Sequence, residues 1–81
     1  MKEIILVGAD WCGSCKAMKE WFFSVELPGV TLTYLDVEEI AAPITSVPVI
    51  AFKENDELIQ EIVGAVSKAD LIRKAKSIFE E

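Results

Sequence analysis

Cys12 and Cys15 are the two cysteines of this chain, and only Gly13 and Ser14 stand between them. At that spacing two thiols one helical turn apart can close on each other, the arrangement by which a dithiol exchanges with a disulfide. One thiol attacks, and the other releases the product. The pair falls where the strand-like run Ile4-Ile5-Leu6-Val7 gives way to helical spacing from Cys15 onward. A first cysteine so placed faces the unpaired N–H groups and the positive dipole end of a helix, both of which favour a thiolate.

Two other uses of a C-x-x-C stand beside this one. A zinc site takes about four N or S ligands, whereas the chain has no His and no third Cys. A metal would therefore need carboxylates or a second subunit, and none is expected. A purely structural disulfide is the other use, but a ring closed over two residues removes little entropy from the unfolded chain. The redox dithiol is the leading interpretation.

The elements that position the pair must fit within 81 residues, room for one small domain over 1–81 near the lower limit for a self-sufficient core. A hydrophobic content of 52% with 27% charged residues is that of a globular chain. The longest apolar runs are far below membrane-spanning length, so no membrane is expected. A net charge of −6 with dispersed Lys and Arg argues against nucleic acid as a partner. Lys2 and Glu3 precede an apolar run too short for an export signal. The expected location is the cytoplasm, where a dithiol is catalytic or sensing.

Glu3 to Val7 suits a central strand buried on both faces. Gly8-Ala9-Asp10 ends it. From Cys15, the apolar positions Met18, Trp21, Phe22 and Val25 predict a helix of about three turns, with Trp21 in the core. Leu27-Pro28-Gly29 breaks that helix, and Val30 to Leu35 returns as a strand through a right-handed parallel crossover. Asp36 to Ala42 predicts a short helix of at most about two turns, or an irregular connection, before Pro43. Val47 to Lys53 and Leu58 to Val63 then form an antiparallel hairpin about the polar turn Glu54-Asn55-Asp56-Glu57. Ser67, three residues before Asp70, opens a final helix with Leu71, Ile72, Ala75, Ile78 and Phe79 on one face. Pro48 is awkward at a strand start, because a central strand cannot spare an N–H.

Three motifs, taken in order, resemble landmarks of the thioredoxin superfamily. Trp11-Cys12-Gly13-Ser14-Cys15-Lys16 resembles the W-C-G-P-C-K active site, Ser46-Val47-Pro48 the segment with the cis-proline, and Val63-Gly64-Ala65-Val66-Ser67-Lys68 the stretch before the last helix. The resemblance covers nearly the whole chain and is closer to thioredoxin than to glutaredoxin. It implies an α/β, minimal thioredoxin fold: a four-stranded mixed sheet in the order β-α-β-short α-β-β-α, with helices on both faces. It makes Cys12 the attacking thiol, Cys15 the resolving thiol, and the two together a redox-active disulfide. Pro48 is implied to be cis, with Pro28 and Pro43 trans. A substrate would lie against Trp11, Gly13, Ser14, Val47, Pro48, Gly64 and Ala65, with the Val47 backbone pairing to an extended peptide.

The implied activity is reduction of disulfides in partner proteins through a mixed disulfide, a task of electron transport and cell redox homeostasis. No cofactor is implied. The chain would act as a monomer, regenerated by a thioredoxin reductase or by glutathione, and ribonucleotide reductase is a client by family analogy alone. Alternatives are a glutathione-dependent, glutaredoxin-like reductase and a non-enzymatic docking module. The chain also departs from the family. It lacks the additional first strand and helix of thioredoxin proper, and Leu6 stands where the family has a buried Asp six residues before the first cysteine. Tyr34 replaces that acid's lysine partner, and Ser14 replaces the usual proline, leaving one more backbone N–H. The second exchange is therefore expected to lack its usual proton acceptor.

Overall fold

The computed structural model describes residues 1–40 and 46–79. Four apolar stretches form one mixed sheet in the order β2-β1-β3-β4. Strand β1 (Lys2–Gly8) runs parallel to β2 (Val30–Asp36) and antiparallel to β3 (Val49–Glu54), which pairs antiparallel with β4 (Glu57–Val63). Parallel neighbours require a crossover. Helix α1 (Gly13–Phe22) lies within that crossover, and helix α2 (Lys68–Ile78) follows β4.

Side chains alternate across a strand, so one face of β1 carries Ile4 and Leu6 beside their register partners Phe52 and Ile50. All four are fully buried and form one cluster with Met18, Phe22, Leu71, Ala75 and Phe79. Trp21 packs against the same cluster. Both α-helices thus lie on this face and touch each other there. The family resemblance implies helices on both faces; among the described residues the two α-helices share one. Their apolar stripes meet over the same four strand residues. The opposite face bears Ile5, Val7, Val49 and Ala51, of which Val7 and Val49 are buried.

After β2 the chain makes a single turn of 3-10 helix, Val37–Glu39. Asp36 caps it by accepting the Glu38 N–H at 2.9 Å, and the Glu39 carboxylate reaches back to the Asp36 N–H at 3.1 Å. These reciprocal caps saturate so short a turn. The helix expected over Asp36–Ala42 is thus limited to this turn as far as Ile40. Ala41, Ala42 and Pro43 lie outside the described residues, as does the expected trans bond at Pro43.

Strand β3 starts at Val49, two residues later than the sequence pattern suggests. Pro48 has no N–H to give the ladder, and it sits just before the pairing begins. The hairpin to β4 turns on Asn55 and Asp56, at φ 55° and 69°, the positive values that a tight two-residue connection demands. Ser67 caps α2, its hydroxyl accepting the Asp70 N–H at 3.1 Å. Among the described residues no helix is long and apolar enough to cross a membrane.

Candidate active site

Strand β1 delivers the chain to the site through Ala9, whose carbonyl accepts the Cys12 N–H at 3.1 Å. Cys12 keeps extended backbone angles, φ −103° and ψ 111°, and is the N-cap of α1. The helix therefore begins at Gly13, two residues before the apolar periodicity becomes visible. At an N-cap the side chain normally accepts one of the helix's orphan N–H groups. Here a sulfur takes that place: the Cys15 N–H points at Cys12 Sγ, 3.1 Å away. Ser14 Oγ approaches the same sulfur at 3.4 Å. Both groups are positioned to stabilise negative charge on Cys12.

Cys12 and Cys15 are joined as a disulfide with their Cα atoms 5.2 Å apart. Their exposures differ, 8% for Cys12 and 0% for Cys15. Ala9 completes a small buried cluster with them, and Val37 and Val47 pack against it. Val47 thus belongs to the site by contact. The Val47–Pro48 peptide bond is cis. Pro48 is buried, and its carbonyl accepts the Gly64 N–H at 2.8 Å, which ties the start of β3 to the residue after β4.

Gly64 has φ 117°, a region that side-chain-bearing residues avoid. A Cβ there would meet nothing within 4 Å, so backbone conformation rather than crowding selects this glycine. Trp11 is 71% exposed, and Val63, Ala65, Gly13 and Ser14 are exposed as well. Trp11 and Ala65 stand outside the buried cluster around the sulfurs. The residues singled out in the sequence therefore divide in three, with Trp11, Gly13 and Ala65 exposed and outside the buried cluster. Cys12, Ser14, Cys15 and Val47 meet at the sulfurs, and Pro48 and Gly64 are linked just behind Val47.

With this geometry established, comparison with known proteins decides the family. Residues 2–77 match thioredoxin. The chain belongs to the thioredoxin family. A thioredoxin-4 of Dictyostelium discoideum is 34% identical over 68 residues, covering 75% of this chain and 65% of that protein. The chain thus spans less than two thirds of that curated relative. A mutant thioredoxin from Halobacterium salinarum superposes with a TM-score of 0.85 at 23% identity, covering 99% of this chain and 76% of that one. Thioredoxin f from spinach chloroplast gives 0.75 at 21% identity, covering 95% and 69%. These structural likenesses establish the four-stranded, two-helix thioredoxin-like fold. The family and the disulfide-linked pair together support thiol–disulfide exchange as the chemistry of the site.

Two neighbours of the sulfurs escape motif reading. Val37 reaches the cysteines from the turn after β2, and nothing in its local sequence announces this. Gly8 reads as a strand terminator, but a Cβ there would lie 2.7 Å from Tyr34 Oη and 2.9 Å from Cys15 Cβ. Close approach, not a turn, demands this glycine. Tyr34 is also the register partner of Leu6 on the parallel strand, so two of the three residues that depart from the family pattern stand side by side.

Proposed function

We propose that this protein reduces disulfides in partner proteins, with Cys12 as nucleophile and Cys15 as resolving thiol. The observation that carries this is the disulfide-linked pair at the start of α1, with Cys12 at the N-cap and Cys15 enclosed. In the reduced form, the Cys12 thiolate attacks one sulfur of a substrate disulfide. A Cys12–substrate mixed disulfide forms, and the other substrate sulfur leaves as a thiolate and takes up a proton. Cys15 then loses its proton and attacks Cys12 Sγ. The Cys12–Cys15 bond forms, the mixed disulfide breaks, and the second substrate thiol departs. The substrate has gained two electrons and the protein has lost two.

Exposed Trp11, Val63 and Ala65 offer an apolar rim to an incoming chain, and Val47, just before Pro48, offers backbone beside the sulfurs. A proline N makes no hydrogen bond, so any backbone pairing in the groove falls to Val47. No organic cofactor enters this scheme, and among the described residues no cluster of three His, Cys, Asp or Glu could hold a metal ion. The chemistry suits a reducing compartment such as the cytoplasm.

The test is turnover of one disulfide-bonded protein substrate by the reduced chain, with a thioredoxin reductase in one arm and glutathione with its reductase in the other. Turnover in the first arm supports the thioredoxin reading, and turnover confined to the second assigns a glutaredoxin-like cycle. Substrate reduction in neither arm, with partner binding retained when both cysteines are replaced by serine, would leave a docking module.

A further inference from the structure

Within the proposed function, the second exchange poses a problem that the first does not. Cys12 has the Cys15 N–H and the Ser14 hydroxyl at its sulfur, whereas Cys15 is 0% exposed among Ala9, Val37 and Val47. Burial in carbon raises the cost of a thiolate. Leu6, two places back along the same face of β1 from Gly8, adds more carbon and no proton-bearing group. The chain has no histidine. Among the described residues, the Tyr34 phenol reaches this end of the core. A Cβ-sized space at Gly8 is bounded by Tyr34 Oη at 2.7 Å, Cys15 Cβ at 2.9 Å and Tyr34 Cε2 at 3.2 Å. The missing side chain of Gly8 is therefore what allows the phenol and the resolving cysteine to approach one another across β1.

We propose that the Tyr34 hydroxyl is the hydrogen-bond donor that stabilises the Cys15 thiolate as it attacks the mixed disulfide. In this role Tyr34 keeps its own proton. The Cys15 proton leaves to solvent, the phenol O–H turns toward Sγ, and the sulfur lone pair then forms the Cys12–Cys15 bond while the substrate thiolate departs.

The surroundings keep the donor protonated. Tyr34 is pushed above its ordinary value first by burial, then by the carboxylates of Asp36, Asp10 and Glu39. From α1, the Lys19 ammonium lies 4.3 Å from the ring centroid and holds the ring face from the helix side. Lys16, also on α1, is exposed beside Cys15 in sequence. A neutral phenol can donate; a phenolate would repel the thiolate that it is meant to stabilise.

The test separates the two exchanges with dithiobis(nitrobenzoate), a chromogenic aryl disulfide, in single turnover. The first aryl thiolate released reports attack by Cys12, and the second reports resolution by Cys15. Tyr34→Phe should leave the first release unchanged, slow the second about tenfold near neutral pH, and raise its pH midpoint by about one unit, the scale of one hydrogen bond to a charged group. Because Tyr34 is the only tyrosine, growth on 3-fluorotyrosine places a more acidic phenol of nearly equal size at this one position. That protein should lower the midpoint of the second release. An unchanged second midpoint in both proteins overturns the proposal, as does equal slowing of both releases without a shift in midpoint. If Tyr34→Phe does not fold, the fluorotyrosine midpoint alone decides. Absence of the first release in the unmodified protein would instead defeat the proposed function, a different failure from loss of the second.

Discussion

Cys12 caps a helix, keeps a little of its surface in solvent and meets a backbone N–H and a serine hydroxyl, whereas Cys15 is closed off with Gly8 and Tyr34 behind it. The polar groups at the first sulfur come from Ser14 and Cys15, its neighbours in the same short segment. The phenol near the second comes from β2, brought to Gly8 of β1 by the parallel pairing of the two strands. A helix terminus is a cheap, local source of positive potential, and it can be assembled wherever a helix begins. A hydroxyl beside a buried sulfur has to be delivered by the tertiary fold. Changes near Cys12 should therefore act on chemistry with little effect on stability, while changes near Cys15 should act on both.

The largest effects come from the sulfurs themselves. Cys12→Ser should abolish turnover, because no mixed disulfide can form. Cys15→Ser should leave the first attack intact and trap the substrate on Cys12, visible by mass spectrometry as an adduct that a small thiol reverses. Stable adducts on Cys15 in the Cys12→Ser variant, formed as fast as those on Cys12, would erase the distinction between the two sites.

Leu6→Asp tests the buried side next. Leu6 is fully enclosed, so an acid there should cost about 2 kcal/mol or more, read from denaturant unfolding. In the folded variant, a carboxylate two places along the strand from Gly8 offers a proton acceptor that carbon does not, and release from the mixed disulfide should quicken near neutral pH. Unchanged release kinetics would mean that a neutral donor already suffices at Cys15.

Two glycines sharpen the contrast further. Gly8→Ala would drive a methyl into Tyr34 Oη and Cys15 Cβ, an overpacking worth about 1–3 kcal/mol. Gly13→Ala meets nothing within 4 Å and exchanges glycine for a better helix former in the first turn of α1, so stability should hold or rise by up to about 1 kcal/mol. Equal losses at the two positions would refute the view that crowding is confined to the Cys15 side.

The same contrast sets what could be read in the sequence. The C-x-x-C, the strand before it and the helix after it are short-range signals, and they place Cys12 and Cys15 correctly in the fold. The β1–β2 and β3–β4 pairings follow from a parallel crossover and a hairpin, both written in local periodicity, whereas the β1–β3 pairing that joins them is a long-range contact. Local periodicity does not say on which face a helix lands: α1 and α2 each carry one apolar stripe, and only packing shows that both stripes meet Ile4, Leu6, Ile50 and Phe52. The clearance at Gly8 was equally illegible, because its partners lie 7 and 26 residues further along the chain. Pro48 was legible as an oddity but not as a boundary. The ladder starts one residue beyond it, since Pro48 has no N–H to give.

The smallest effect is a titration. Tyr34 is raised from 10.0, chiefly by burial and then by Asp36, Asp10 and Glu39. A tyrosine is neutral when protonated, so a raised value means that the folded chain holds the proton more tightly than the unfolded one. Its contribution to stability is then fully present below about pH 10 and is lost as pH rises through the folded value. Near-ultraviolet phenolate absorbance should appear at higher pH in the folded protein than in the same protein in urea, a clean comparison with a single tyrosine. The stability difference between the parent and Tyr34→Phe should decline over that same alkaline window. Asp36→Asn should bring the folded midpoint only part of the way back, because burial is the larger cause. A folded midpoint at or below the unfolded one would show the phenol to be solvated, and the buried side of the site would then be no drier than the Cys12 side.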